Sequence, residues 1–125
     1  MKYVVNKEKV LFADECFIIS GVFFYCQNQL GRFAKEKQYG DLSENKFKEL
    51  NIPFKRELAA GSNRTDFVLY DKILVEMKAK PFLTKEDFDQ AQRYLDILGL
   101  DLGLLVNFWA RSALPYRVLR KQRDS

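Results

Sequence analysis

The sequence predicts a one-domain α/β protein, ordered helix, helix, three-stranded antiparallel meander, helix and buried strand. Three observations predict it. The chain has 125 residues, 47% apolar and 30% charged, which is enough for one self-sufficient core and too apolar for disorder. Apolar residues recur at helical spacing in three segments and at strand spacing between the second and third. Pro53, Pro81 and Pro115 fall at junctions between segments rather than inside them. No repeat, low-complexity tract or linker interrupts residues 1–125, so they read as a single domain.

Residues 1–13 fit either a short hairpin or an irregular arm, because apolar residues at 2–5 and 10–12 flank the polar Asn6-Lys7-Glu8-Lys9. A first helix is predicted over 14–30 with Asp14 as N-cap. Phe17, Ile18, Val22 and Tyr25, together with Ile19, Phe23, Cys26 and Leu30, occupy several helical rows. That pattern predicts a largely buried helix, ended by Gly31. A second helix over 34–50 turns Tyr39, Leu42, Phe47 and Leu50 inward and is stopped by Asn51 and Pro53. Strands are predicted at 54–58, 64–69 and 73–80, with a turn at 59–63 and a three-residue connection at 70–72. Thr84 caps the third helix, with Asp87 three residues on. Phe88, Ala91, Leu95 and Leu98 carry its core stripe to the Gly99 stop. Residues 102–108 are continuously apolar, as a strand buried on both faces would be.

Composition narrows the chemistry. The chain contains no histidine, which excludes Ser-His-Asp and Cys-His catalysis, His-ligated zinc and HExxH proteases. Carboxylates, lysine and tyrosine remain. A net charge of +4 permits an anionic partner without demanding one. Cys16 and Cys26 form no CxxC and read as reduced core residues. The most apolar run, residues 16–26, is too short to span a bilayer, and Asp14 and Glu15 interrupt any signal-peptide pattern. A cytoplasmic protein with no membrane partner is expected.

One constellation stands out. Glu76 and Lys78 share a strand face by the two-residue period, and Leu74 shares it with them. Pairing about Asp71 sets Asp66 opposite Glu76 and Phe67 opposite Val75, whereas a two-residue turn would send Asp66 to the other face. Opposed carboxylates can converge on one hard divalent cation. Without a cation or the Lys78 ammonium, their repulsion would raise one pKa. A metal that polarises a phosphoryl oxygen and a lysine that orients water suit phosphodiester hydrolysis. On periodicity alone, Glu76 and Lys78 also fit a solvated strand face with a cross-strand ion pair. Val68 and Leu74 on that face argue for a helix covering it, where buried charges need pairing or a metal.

Asp66 followed by Glu76-Met77-Lys78 resembles the D…(D/E)xK signature of the PD-(D/E)XK nuclease superfamily. Asn28-Gln29-Leu30-Gly31, Glu36-Lys37-Gln38-Tyr39, Gln90 and the run from Leu102 through Phe108 are similar to the small bacterial GxxExxY proteins, over roughly residues 10 to 120. The resemblance implies a restriction-endonuclease-like core with a mixed sheet flanked by helices. It implies a Mg²⁺- or Mn²⁺-dependent nuclease with Asp66 and Glu76 as metal ligands, Lys78 as catalytic lysine and Glu36 as an assisting acid. Gln90 would face the site and Tyr39 would neighbour it. Phe33 stands where the naming glycine would be, and Gln27 where a histidine is frequent.

The segment 111–125 holds Arg111, Arg117, Arg120, Lys121 and Arg123 near Trp109 and Tyr116, a composition that fits either phosphate contact or a solvated tail. With Arg64, Arg111 and Arg117 are the candidate substrate-binding arginines. Nucleic acid is the expected partner, DNA ahead of RNA. The alternative is an inactive nuclease-fold module that binds nucleic acid or a protein, and a homodimer stays open.

Overall fold

The computed structural model describes residues 10–121. Most of the expected N-terminal arm or hairpin, and Arg123, lie outside the described residues. In chain order the elements are α1 (Ala13–Leu30), α2 (Glu36–Glu49), β1 (Phe54–Arg56), β2 (Ala59–Ala60), β3 (Asn63–Arg64), β4 (Phe67–Leu69), β5 (Ile73–Lys78), α3 (Lys85–Leu98), β6 (Leu102–Asn107) and β7 (Tyr116–Leu119). A five-stranded sheet runs β1-β4-β5-β6-β7, and β2 pairs with β3 in a separate small hairpin. This is the α/β, mixed-sheet architecture that the sequence predicts.

The connection Tyr70-Asp71-Lys72 fixes the central register. β4 and β5 pair antiparallel with Phe67 opposite Val75 and Leu69 opposite Ile73, as pairing about Asp71 requires. β6 then joins β5 in parallel, Glu76 beside Leu105 and Lys78 beside Asn107. A parallel neighbour needs a crossover, and α3 supplies it. Its start is capped as expected: the Asp87 carboxylate accepts the Thr84 backbone N–H at 2.7 Å, and Gly99 ends the helix at φ 67°.

The period of two divides the core between the two sheet faces. Ile73, Val75, Met77, Leu102, Leu104 and Val106 pack with α1 and α2, joined by Phe23, Tyr39, Phe47 and Phe108. On the other face Leu74 and Leu105 pack against Ala91, Tyr94 and Leu95 of α3. All six residues of β6 are buried, as the apolar run that opens it foretells, and the last of them is the polar Asn107. The face bearing Glu76 and Lys78 is therefore the one that α3 covers.

Several sequence expectations are corrected. Phe12, in the left-handed region at φ 56°, is the N-cap of α1 rather than Asp14, which instead lies in the first turn where its charge suits the helix dipole. That helix is not buried on most sides. Cys16, Ile19, Val22, Phe23 and Cys26 turn inward, while Phe17 is 82% exposed, with Ile18, Phe24 and Tyr25 also outward. One sheet face and α2 cover one side of a helix. Leu50 is exposed beyond the end of α2. The strand expected at 54–58 stops at Arg56, where Glu57 takes φ 57°. The expected turn at 59–63 is the β2–β3 hairpin around Gly61. Part of the basic tail is β7, an edge strand that buries Val118. One apolar anchor among charged residues left too weak a pattern to read as a strand. No described helix is long and apolar enough to cross a membrane.

Candidate active site

Asp66 lies one residue before β4, at the point where β4 leaves its neighbour. Continuing the ladder would bring Thr65 opposite Met77. Instead the Met77 N–H donates to Asp66 Oδ2 at 2.6 Å, and Thr65 turns its N–H to the Leu58 carbonyl. The Asp66 N–H in turn donates to Glu76 Oε2 at 2.9 Å. Each carboxylate is thus held by a backbone donor beside the other, with Glu76 only 4% exposed. Burial, then the Asp66 charge, pushes the Glu76 carboxyl up to about 8, against the opposing Asp66 N–H and Lys78. Burial also raises Asp66, and the Met77 N–H, Lys78 and Arg56 offset that only in part.

Lys78 is anchored from α3. Its Nζ donates to Gln90 Oε1 at 3.2 Å and lies 3.9 Å from Asp87 Oδ1. Asp87 Oδ2 also receives Lys80 Nζ at 2.6 Å. Burial disfavours the Asp87 charge, but the Lys80 and Thr84 hydrogen bonds outweigh it and hold the carboxyl below its usual range. The end of β5 is clamped by Asn107, whose Nδ2 donates to the Lys80 carbonyl at 2.8 Å and whose Oδ1 accepts the Lys80 N–H at 3.2 Å. Gln90, which the resemblance turns toward the site, does meet Lys78.

Glu36 opens α2 on the opposite side of the sheet, and its carboxyl faces a cleft of about 280 Å³ shared with Asp41, Arg56, Asp66 and Met77. Burial raises its pKa first and the Asp66 charge second, with Lys78 and Lys80 opposing. The position of Glu36 is set by the residues around it. Tyr39 Oη donates to the Gly31 carbonyl and accepts the Ala34 N–H, and Gln38 Oε1 accepts the Lys35 N–H at 2.9 Å. Tyr39 itself is fully buried, its ring stacked on Phe108 at 4.2 Å. It is a core aromatic that fixes the loop before Glu36.

The candidate arginines do not gather at the acids. Arg64 is exposed on the small hairpin, 3.8 Å from Glu57, and Arg111 is exposed in the loop after β6. Arg117 pairs with Leu104 in register and so lies on the α1 face, opposite Glu76 and Lys78. Its guanidinium donates to the Leu11 carbonyl at 2.7 Å and to Cys16 Sγ at 3.2 Å, on the face of the sheet away from Glu76 and Lys78. Gln27 bridges α1 to the same loop, donating to the Phe108 and Ala110 carbonyls and accepting the Ala113 N–H. Sequence reasoning missed Asp87 and Lys80 as neighbours of Lys78, and Tyr94, whose hydroxyl is raised by burial first and then by the Glu76 and Asp66 charges. The Thr84–Asp87 spacing signalled a cap, and nothing local signalled the lysines it would hold.

Among the described residues no group of three or more His, Cys, Asp or Glu side chains could hold a metal ion as arranged. The donor chemistry of the acid pair nonetheless fits a hard divalent cation. Two carboxylates kept from ionising together by burial and mutual repulsion gain when a dication lets both carry charge.

Among curated proteins and among solved structures nothing matches the chain. A family model described as the PD-(D/E)XK nuclease superfamily matches residues 13–118, from the start of α1 into β7. A match over most of the chain decides the matter: the protein belongs to the PD-(D/E)XK nuclease superfamily.

Proposed function

We propose that the chain is a metal-dependent nuclease that hydrolyses nucleic-acid phosphodiester bonds at Asp66, Glu76 and Lys78. The observation that carries this is the interlocked acid pair with Lys78 two residues on, tied to α3 through Gln90. Asp66, Glu76 and the Met77 carbonyl would hold Mg²⁺ or Mn²⁺, with Glu36 assisting through water or a second ion. When bound there, the cation supplies Lewis-acid polarisation of a phosphoryl oxygen. Lys78 orients the attacking water and stabilises the charge that develops on the phosphate. Gln90 and Asp87 hold its ammonium from α3. Asn28-Gln29-Leu30-Gly31 and Glu36-Lys37-Gln38-Tyr39 also support the GxxExxY group within the superfamily, with DNA as the expected substrate.

The test is cleavage of plasmid, single-stranded DNA and RNA with Mg²⁺ or Mn²⁺, comparing wild type with Lys78→Ala and Asp66→Asn. Both variants should lose at least about 100-fold in rate. A wild type that cuts none of these substrates and takes up no Mn²⁺ in calorimetric titration overturns the proposal. The second reading, a nuclease fold that binds without cutting, draws on the absence of a ready three-ligand group among the described residues, and the same titration separates the two.

A further inference from the structure

Beside Lys78, on the α3 face of the sheet, a pocket of about 460 Å³ is lined by Phe82, Leu83, Phe88, Asn107, Ala110 and Tyr116. Register places Asn107 and Tyr116 of its lining on the sheet face that also carries Glu76 and Lys78. Lys78 neighbours Asn107, Glu76 neighbours Leu105, and Leu105 faces Tyr116 on the next strand. Asp66, Glu76, Leu105 and Tyr116 therefore form one row across one face, and two strand spacings separate the Glu76 and Tyr116 backbones by about 10 Å. We propose that this pocket seats an unpaired nucleobase, so that the substrate of the neighbouring site is a single-stranded nucleic acid. The role of Lys78 in this picture rests on the nuclease reading; the binding of the base does not.

The aromatic groups are what a base would require. Phe82 is 78% and Tyr116 59% exposed on the rim, a large apolar outlay toward water for a protein of this size. Phe88 packs edge-on to Tyr116 at 5.6 Å and braces that ring. Flat π-faces stack bases of any identity. The amide in the wall is already spent: Asn107 gives its amide to the Lys80 backbone and accepts the Trp109 N–H at 3.2 Å. The pocket thus offers aromatic faces for stacking and no free amide to read a base's edge. Charge complements the backbone of such a strand. Lys80 directly precedes Pro81 of the lining and Arg111 follows Ala110, and Lys80 also holds the Asp87 carboxylate at 2.6 Å. A duplex would have to extrude a base first, at a cost of a few kcal/mol.

The experiment is fluorescence anisotropy in EDTA, so that no cleavage intervenes. It uses a labelled oligothymidylate, the same oligomer carrying abasic sites, and a blunt duplex of equal length. Wild type should bind the intact single strand best. Phe82→Ala and Tyr116→Ala should each weaken it by roughly 5- to 100-fold, leave duplex binding unchanged and leave the thermal midpoint unmoved. Abasic sites should reproduce the loss in wild type, which tests stacking without altering the protein. Equal affinity for duplex and single strand, indifference to abasic sites or to both Phe82→Ala and Tyr116→Ala, or no single-strand binding by wild type overturns the proposal. Base-dependent binding without Mn²⁺-supported cleavage keeps the pocket and removes the nuclease reading. Cleavage with binding indifferent to Phe82 and Tyr116 does the reverse.

Discussion

At the scale of single residues, the chemistry turns on how Asp66 and Glu76 hold charge. Glu76 binds its proton more tightly folded, at about 8, than its ordinary value of 4.5. Between those values the folded chain carries more proton than the unfolded one, so this group's stability contribution is full below 4.5 and is lost as pH rises through 8. Glu76→Gln keeps an oxygen for the Asp66 N–H and removes the titration. In metal-free urea melts the variant should match wild type near pH 4.5 and exceed it at pH 8 by on the order of a few kcal/mol. A difference that stays flat with pH contradicts the buried pair. Acids held down by cations, such as Asp41 and Glu44 beside Arg56, run the opposite way in both proteins and cancel in the comparison.

At the scale of elements, α1 and α3 invite contrasting tests. The two faces of α1 are both aromatic, but Phe23 is fully buried and Phe17 is 82% exposed. Phe23→Ala should cost about 3–5 kcal/mol, from lost transfer energy plus a cavity. Phe17→Ser should fall within about 0.5 kcal/mol of wild type in chemical denaturation. In α3, Asp87 joins a cap to two lysines. Asp87→Asn retains an acceptor for the Thr84 N–H and loses the charge, whereas Asp87→Ala loses both and should cost about 1 kcal/mol more by thermal melting. If both variants lower cleavage alike while the alanine lowers stability further, Asp87 acts on Lys78 through its charge.

At the scale of the whole molecule, metal binding and folding should be linked through the proton. A cation that lets both acids ionise binds the folded chain more tightly as pH rises, because it competes with the protons they carry. Thermal melts should show Mn²⁺ raising the midpoint more at pH 8 than at pH 5.5, with about 2.7 kcal/mol gained at 100 times the dissociation constant. Asp66→Asn should abolish that gain. A rise that is equal at both pH values, or that survives in the variant, would place the ion elsewhere.

The sequence by itself determined the three helices, the doubly buried strand and the β4–β5 register, but not the β2–β3 hairpin or β7. Each rests on local information: the Thr84–Asp87 cap, the Gly31 and Gly99 stops, the run from Leu102 through Phe108, and the odd-length connection at Asp71 that brings Asp66 opposite Glu76. The Asp66, Glu76, Lys78 spacing was legible for the same reason. Tertiary structure decided what no local pattern encodes. Phe17 and Phe23 are alike in sequence, and one is outside only because a sheet covers a single side of α1. Arg117 is as basic as Arg111, yet strand period and the position of β7 turn it to the far face. Asp87 meets Lys78 and Lys80, and Tyr116 joins the row of Glu76, because the β5–α3–β6 crossover closes residues distant in the chain onto one face. Local pattern fixes where each element starts and stops, and the packing of elements against one another fixes which side chains meet.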